Sequence, residues 1–314
     1  REKFDLVVFG GVCCDLIFSG VERLPDPGEE IWANQMKVTV GGAFNVAAAA
    51  TRLNMKTGIP CICGNDIFST YIYNAALEEG MDTRLFLRTP QPYIQTSVVL
   101  NFGSDRAFVS YAEDKNESEL EQHIEEIADQ IPMKAAVFGM TDKKNYLELM
   151  KKLRRKGTKV ILDCSWDEKL LISDSLREQI MNCDYFLPNL SEARVITGEE
   201  EPELMIRKLE EYTPNCVIKL GKDGVIAANG SEILRYPAID LGKVVDTTGA
   251  GDNFVAGFTY GVIQQASLED CILYGQLCGS KSTVAVGGFT SSLYESELKE
   301  LAGEMTGVKK ENIV

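Results

Sequence analysis

The sequence predicts an α/β protein of three layers, in which helices cover both faces of a mainly parallel central sheet. Short apolar runs alternate with longer segments of helical period along the 314 residues. This order is typical of parallel strands joined by crossover helices. A chain of this length can bury a full core. We expect one domain over residues 1–314, with β insertions at about residues 16–40 and 93–111.

The individual elements follow from the period of the apolar residues and from the turn residues between them. The predicted strands cover residues 4–9, 135–138, 160–162, 185–187, 216–219 and 225–228. The predicted helices cover residues 43–53, 67–79, 117–130, 143–156, 191–197, 204–212, 252–264 and 267–286.

Two segments break this alternation. The first contains a Pro-Asp-Pro-Gly turn at residues 25–28, and the second has the pattern of a hairpin. Its strands would cover residues 96–102 and 106–111, with a turn at Gly103, Ser104 and Asp105. We predict that the two segments pair into a small sheet that stands off the main domain as a lid. Antiparallel strands at the edge of the main sheet are the alternative.

Composition excludes several classes of protein. The 47 acidic and 32 basic side chains give a net charge of −15, which argues against a nucleic-acid or anionic-membrane surface. No run of about 18 apolar residues is present to span a membrane. The nine cysteines form no Cys-x-x-Cys pair, so we expect reduced thiols and a cytoplasmic protein. His123 is the only histidine, which argues against a zinc site or a histidine-dependent hydrolase.

A glycine-rich turn at residues 246–254 reads Asp-Thr-Thr-Gly-Ala-Gly-Asp-Asn-Phe and opens a segment of helical period. Unpaired N–H groups at such a helix start form an anion site, and Gly249 and Gly251 let a ligand approach closely. A carboxylate at Asp252 would repel phosphate unless it takes the proton of an attacking hydroxyl. The alternative is a turn whose acid favours the positive end of the helix dipole.

This segment resembles the C-terminal signature of the PfkB, or ribokinase-like, carbohydrate kinases. The resemblance implies the ribokinase-like fold and transfer of a phosphoryl group from ATP to a hydroxyl, with Mg²⁺ as cofactor. Asp252 would then be the general base. Gly249, Ala250 and Gly251 would stabilise the charge on the transferred group.

Two segments near the start of the chain predict the substrate side of the site. Asp15 follows a predicted strand, where open α/β sheets bind ligands, and a carboxylate suits neighbouring hydroxyls. Gly41 and Gly42 precede Asn45 at the start of an alanine-rich helix, and Asn45 offers both a donor and an acceptor. Both segments resemble substrate-binding motifs of the family. A turn aspartate and an asparagine near a helix start are the structural alternatives.

Two further segments resemble the nucleotide motifs of the family. Asn189 and Glu192 have its Asn-x-x-Glu spacing, which implies that Asn189 lies near the phosphates and that Glu192 acts on Mg²⁺ through water. Gly221 and Gly224 lie in a Leu-Gly-x-x-Gly loop, which in the family runs along ATP. Dipole compensation by Glu192 and an ordinary hairpin turn are the alternatives.

The resemblance also implies a site for a monovalent cation, K⁺. Asp246 and Thr248 would form it with backbone carbonyls of residues 284–288. A cation fixed there would strengthen the positive field of the neighbouring anion site.

The sequence therefore predicts a kinase of a sugar or sugar-like substrate. Cys13 and Ala43 stand where ribokinases carry asparagine and lysine, which puts ribose in doubt. A nucleoside kinase of the same fold is the alternative, and it would need an apolar shelf such as Phe102, Phe108 or Trp32. A non-catalytic sugar-binding regulator is the rival from another class.

A phosphosugar kinase would need a basic cluster, for which the sequence offers Lys37, Arg88 and Arg106. In the family the lid often forms the dimer contact, so the resemblance implies a homodimer through the lid.

Overall fold

The computed structural model describes residues 3–102, 105–113, 117–230 and 232–311. Its strands in chain order are β1 (Phe4–Phe9), β2 (Val12–Val21), β3 (Gln35–Gly42), β4 (Thr57–Gly58), β5 (Cys61–Cys63), β6 (Phe86–Arg88), β7 (Gln95–Phe102), β8 (Asp105–Ala112), β9 (Met133–Gly139), β10 (Lys159–Asp163), β11 (Tyr185–Leu187), β12 (Val217–Lys219), β13 (Val225–Asn229) and β14 (Glu232–Tyr236). Its α-helices are α1 (Ala43–Arg52), α2 (Ile67–Glu78), α3 (Glu117–Gln130), α4 (Lys144–Arg155), α5 (Glu168–Leu171), α6 (Asp174–Met181), α7 (Leu190–Thr197), α8 (Pro202–Glu210), α9 (Ala250–Ile263), α10 (Leu268–Ser282) and α11 (Glu295–Glu311).

Five parallel strands form the central sheet, in the order β11-β10-β9-β1-β4. Two isolated parallel bridges, Phe186 to Cys216 and Asn189 to Lys219, place β12 beside β11. Strands β13 and β14 continue from β12 in antiparallel pairs. The carboxyl ends of β10, β11 and β12 therefore lie side by side at one edge of the sheet.

Helices cover both faces of this sheet, as the side chains of β1 show. Leu6 and Val8 pack into an apolar core with α1, α9 and α10, whereas Val7 and Phe9 pack into a second core with α3, α4 and α8. Successive side chains of a strand point to opposite faces, so a strand covered on both faces is apolar throughout. The predicted three-layer fold is confirmed.

The small sheet is separate from the central one and has the order β3-β2-β7-β8. Strands β2 and β3 are antiparallel, as are β7 and β8, and the two pairs join through a parallel contact of β2 with β7. The separate sheet was the preferred prediction, but its first strand begins at Val12, before residue 16. Gly103 and Ser104 of the predicted turn lie outside the described residues.

One predicted helix is too long. The segment predicted at residues 267–286 ends as a helix at Ser282. The next carbonyl, that of Thr283, accepts the backbone N–H groups of Val245 and Asp246 instead of one from a further helical turn. The chain then turns back at Gly287, whose φ is 111°. Among the described helices, none is both long and apolar enough to span a membrane.

Candidate active site

The turn before α9 is built on Gly249. This residue is the N-cap of α9 and has a φ of 76°. A Cβ at Gly249 would lie 2.2 Å from the carbonyl oxygen of Gly288, so only glycine fits there without a shift of the backbone. The first N–H groups of a helix have no acceptor within it, and here that of Ala250 donates to the Thr247 carbonyl at 3.2 Å.

Asn253 holds this turn in place, a role that the sequence analysis did not assign to it. Its side chain is fully buried, and its Nδ2 donates to the carbonyl oxygens of Gly249 at 2.8 Å and Gly288 at 2.7 Å. Its Oδ1 accepts a hydrogen bond from the Ser292 hydroxyl. The turn before α9 and the segment after α10 are therefore fixed to each other through the side-chain amide of Asn253.

Asp252 lies in the first turn of α9 and is partly buried. Its Oδ2 accepts a hydrogen bond of 3.0 Å from Asn45 Nδ2. Burial, together with repulsion from Asp163, raises the pKa of Asp252 to about 7, although the Asn45 hydrogen bond and Lys219 oppose the rise. A carboxylate with this pKa is suited to accept a proton near neutral pH. The Oδ1 of Asn45 is buried and has no hydrogen-bond partner among the described residues.

Asp163 and Lys219 form an ion pair next to Asp252, which the sequence analysis missed. The pair joins the ends of β10 and β12 at 3.0 Å, and each side chain is 14% exposed. Burial lowers the pKa of Lys219, but Asp163 and Glu192 outweigh it and the pKa is raised overall. Polar residues at the carboxyl ends of parallel strands were the sequence signal that could have identified the pair.

Asn189 and Glu192 form a capping box at the start of α7. Asn189 accepts the backbone N–H of Glu192 at 2.9 Å through its side chain, and Glu192 Oε2 accepts the backbone N–H of Asn189 at 2.8 Å. Glu192 is only 4% exposed, and burial raises its pKa although the Asn189 N–H and Lys219 lower it. The helix start thus holds a buried carboxylate near Lys219.

Asp15 and the two glycines lie where the small sheet begins. Cys13 Sγ donates to Asp15 Oδ1 at 3.1 Å, and burial raises the pKa of Asp15 against this hydrogen bond. A Cβ at Gly41 would lie 2.2 Å from Asp15 Oδ2, so Gly41 makes room for the carboxylate. Gly42 has a φ of 68°, and its Cβ would lie 2.3 Å from the Gly11 carbonyl oxygen.

Two cavities meet at Asp252. The small-sheet cavity, of about 570 Å³, lies between the small sheet and the central sheet and is lined by Gly42 among others. The turn cavity, of about 550 Å³, lies against the turn before α9. Asp163, Cys164 and Asp252 line both cavities.

The structure brings most of the predicted nucleotide-side residues to the turn cavity. They are Asn189, Glu192, Gly221, Gly224, Gly249, Ala250 and Gly251. Of the described residues that line the small-sheet cavity, Gly42 is the one predicted for substrate binding, whereas Asp15, Gly41 and Asn45 do not line it. Asn45 instead contacts Asp252.

The predicted apolar shelf does not line the small-sheet cavity either. Trp32 and Phe108 are 82% and 58% exposed, and neither they nor Phe102 belong to the lining. An apolar wall comes instead from residues on α3, at the end of β9 and on α4. These residues are Leu120, Met140 and Tyr146.

Asp246 ties the turn to the segment after α10. Its Oδ1 accepts the backbone N–H of Thr248 at 2.9 Å, and its Oδ2 accepts that of Gly287 at 3.0 Å. Lys37 of the small sheet donates to the carbonyl oxygen of Val286 at 2.7 Å. In the described part of the chain, no group of three or more His, Cys, Asp or Glu side chains is arranged to hold a metal ion.

The family of the chain follows from its sequence and this geometry together. The family model described as pfkB family carbohydrate kinase matches residues 3–293. The chain belongs to this family. It is therefore a carbohydrate kinase, a phosphotransferase with an alcohol group as the acceptor.

The relatives of this chain include kinases named for different substrates. Ribokinase of Haemophilus influenzae is 25% identical, over 91% of this chain and 94% of its own length. Cytidine kinase of Thermococcus kodakarensis is 28% identical, over 86% of this chain and 93% of its own. The structure of Arabidopsis thaliana ribokinase complexed with ribose and ATP aligns with a TM-score of 0.80 at 22% identity, covering 96% of this chain and 99% of that one. This last similarity establishes the fold.

Proposed function

We propose that the protein transfers a phosphoryl group from ATP to a hydroxyl of a sugar or sugar-like substrate, with Asp252 as the general base. The observation that carries the proposal is that Asp252 lines both cavities. A hydroxyl bound in the small-sheet cavity and a phosphate bound in the turn cavity would meet at this carboxylate. Positioning of this kind supplies much of the rate of phosphoryl transfer.

In the proposed step, Asp252 accepts the proton of the acceptor hydroxyl. The oxygen of that hydroxyl forms a bond to the γ-phosphorus of ATP at the same time. The bond from that phosphorus to the β–γ bridging oxygen breaks, and ADP leaves. The N–H groups of the turn at Gly249, Ala250 and Gly251 would stabilise the charge on the transferred group, because they are fixed before the reaction and need no reorganisation. Asn253 would keep those groups in place through its bonds to both sides of the turn.

The turn cavity is suited to a nucleotide. Five glycines line it, so phosphates and ribose can approach the backbone, and Lys219 supplies a positive charge. We assign Asn189, Gly221 and Gly224 to ATP on this basis. The binding of ATP by the Arabidopsis ribokinase, which shares the fold, supports the assignment.

Mg²⁺ fits the same end of the sheet. It keeps several waters and takes few protein ligands alongside phosphate oxygens, so it does not need a cluster of carboxylates. Glu192 and Asp163 line the turn cavity with carboxylate oxygens, the donors that Mg²⁺ prefers. Glu192 would hold the ion through water, and Mg²⁺ would neutralise the phosphate charges when bound.

K⁺ is the proposed cation near Asp246 and Thr248. The Asp246 carboxylate lies between the turn before α9 and the segment after α10, and carboxylate oxygens are donors that suit a hard cation.

We assign the substrate side to Asp15, Gly41, Gly42 and Asn45. The position of Gly42 in the cavity wall and the contact of Asn45 with Asp252 support this assignment.

A nucleoside kinase is the second candidate, because the small-sheet cavity has an apolar wall. Leu120, Met140 and Tyr146 would face the flat base, while the ribose lay toward Asp252. The cytidine kinase among the relatives supports this candidate.

We further propose that residues 1–314 form one cytoplasmic domain, in which the small sheet acts as a lid and forms a homodimer. Met36, Phe108 and Tyr111 of the small sheet are more than half exposed, as an interface would require. Sedimentation of the protein and of a Phe108→Asp variant tests the dimer. A wild-type monomer at micromolar concentration contradicts it.

The function is tested by ADP release from Mg-ATP over a panel of sugars, sugar acids, sugar phosphates and nucleosides, with and without K⁺. A strong response identifies the substrate class, and stimulation by K⁺ supports the cation site. ATP binding without ADP release on any acceptor would favour a non-catalytic sugar-binding regulator and contradict the proposed function.

A further inference from the structure

Acidic side chains outnumber basic ones among the described residues that line the small-sheet cavity. Four carboxylates line it, those of Glu113, Glu117, Asp163 and Asp252. Among the described lining residues, Lys143 is the one basic side chain, and its ammonium group is ion-paired with Glu117. Glu117 and Lys143 therefore balance each other, and Asp163 is likewise paired with Lys219, so the described lining offers no cation without a carboxylate partner.

We propose that the small-sheet cavity selects an uncharged acceptor and rejects acceptors that carry a phosphate or carboxylate group. The inference rests on the proposed kinase function and narrows its substrate class to neutral polyols, sugars and nucleosides. Glu117 is the specificity residue in this account, because it neutralises the cation that an anionic substrate would need.

The physical reason is the balance between desolvation and attraction. An anionic group that enters the cavity loses water, meets no unpaired cation among the described lining residues, and is repelled by the Asp252 carboxylate when that group is ionised. Lys219 does not offset this repulsion, because it lines the turn cavity and is paired with Asp163. Exposure limits the size of the effect, since Glu117 and Lys143 are 53% and 35% exposed and water screens their charges.

Of the other basic residues that the sequence offered for an anionic substrate, the two with described side chains, Lys37 and Arg88, do not supply a cation to this cavity. Lys37 donates to Val286 and to the Thr290 hydroxyl. The Arg88 guanidinium lies 4.4 Å from the ring centre of Tyr73. Neither lines the small-sheet cavity. The side chain of Arg106 lies outside the described residues.

The test compares acceptors that differ in charge, in the presence of Mg-ATP. Fructose is paired with fructose 6-phosphate, and glucose with gluconate. We consider the pairs in which the neutral member is phosphorylated. In these pairs, kcat/KM for the neutral member should exceed kcat/KM for the charged member by at least about tenfold. A few screened charges produce an effect of this size. Where the charged member is not turned over, its inhibition constant against the neutral acceptor takes the place of kcat/KM.

Equal or better use of the charged members would overturn the inference and leave the kinase function intact. No turnover of any neutral or charged acceptor, including nucleosides, would contradict the kinase function and the inference with it. The two failures are therefore distinguishable.

A pair of variants tests the role of Glu117 itself. Glu117→Gln releases Lys143, so the ratio of kcat/KM for charged over neutral acceptors should rise about threefold or more, whereas Lys143→Gln should lower it. Structural damage alone would reduce both values and leave their ratio unchanged. Glu126→Gln is the matched control, because Glu126 is exposed on the same helix and does not line the cavity. A ratio that responds equally to Glu117→Gln and Glu126→Gln would overturn the assignment.

Discussion

The two cavities that meet at Asp252 are nearly equal in volume but differ in their balance of charge and in the turn before α9. Among its described lining residues, the small-sheet cavity has four carboxylates and one lysine. The turn cavity has three carboxylates and two lysines, and Gly249 and Gly251 of the helix start belong to its wall. Backbone N–H groups at a helix start and lysines suit a polyphosphate, and Gly249 and Gly251 do not line the small-sheet cavity. The comparison teaches that the turn before α9 distinguishes the two cavities, although Asp163 and Asp252 line both.

The largest expected effect comes from replacing Asp252, one of the three residues that line both cavities. Asp252→Asn should lower kcat by at least about 1000-fold, because a general base contributes factors of this order. Nucleotide affinity should change by no more than a few-fold. Steady-state ADP release and calorimetric titration with nucleotide measure the two quantities. Turnover within a few-fold of the wild type would break the account.

The same variant should be more stable than the wild type at pH 8. The pKa of Asp252 is raised in the fold from 3.8 to about 7, so the folded state binds its proton more tightly than the unfolded state. This carboxyl therefore destabilises the fold increasingly as pH rises from about 4 to about 7, and Asp252→Asn removes the penalty. Denaturant unfolding should show a gain of a few kcal/mol, at most about 4, at pH 8 and almost none at pH 4.

The next largest effect should come from the wall of the turn cavity. In Gly249→Ala the new Cβ would meet the Gly288 carbonyl, so the turn must shift and kcat should fall by about 100-fold. Gly198→Ala is the matched control, since Gly198 also has a positive φ, of 70°, but has open space around its Cβ position. The control should lose about 1 kcal/mol of stability and little activity. Equal activity losses in the two variants would contradict the proposed anion site.

Lys219→Met sharpens the comparison by removing a cation from the turn cavity. Asp163 is left buried without its partner, so the free energy of unfolding should fall by about 3 kcal/mol. The pKa of Asp252 should rise further, because Lys219 lowers it, and the pH midpoint of activity should move upward. Lys134→Met is the control, because Lys134 forms an ion pair with Asp5 at the amino ends of β9 and β1, away from the site. It should reduce stability without moving the midpoint.

The smallest stability change should come from Asn45→Ala. Loss of one hydrogen bond should lower the free energy of unfolding by about 1 kcal/mol. The Asn45 hydrogen bond lowers the pKa of Asp252, so its loss should move the pH midpoint of activity upward. The pH dependence of kcat/KM measures this shift. A downward shift would contradict the described contact.

The layers of the fold could be predicted from the sequence, because apolar period and turn residues are local signals. The predicted strands at residues 4–9 and 185–187 and the helix at 117–130 match the structure at both ends. The end of α10 at Ser282 could not be predicted from these local signals. It depends on a contact of Thr283 with Val245 and Asp246, which are remote in sequence.

The site residues also fall into two groups, those that a local sequence pattern identifies and those that only the tertiary fold brings together. The glycine turn before α9 and the capping box at Asn189 are contiguous motifs, so local patterns identified them. The ion pair of Asp163 and Lys219 joins residues 56 positions apart, and it forms only because the sheet order brings the ends of β10 and β12 to one edge. No local sequence pattern predicts the order of the strands in the sheet. The hydrogen bonds of Asn253 to Gly249 and Gly288 were missed for the same reason, because Gly288 is remote from Asn253 in sequence.

The pH dependence of wild-type kcat/KM for the acceptor, at saturating Mg-ATP, tests the central claim most directly. Because the pKa of Asp252 is raised to about 7, activity should rise with a single ionisation near pH 7 and level off above it. A profile that stays flat from about pH 6 to about pH 8 would contradict the claim that Asp252 must be ionised to accept the proton.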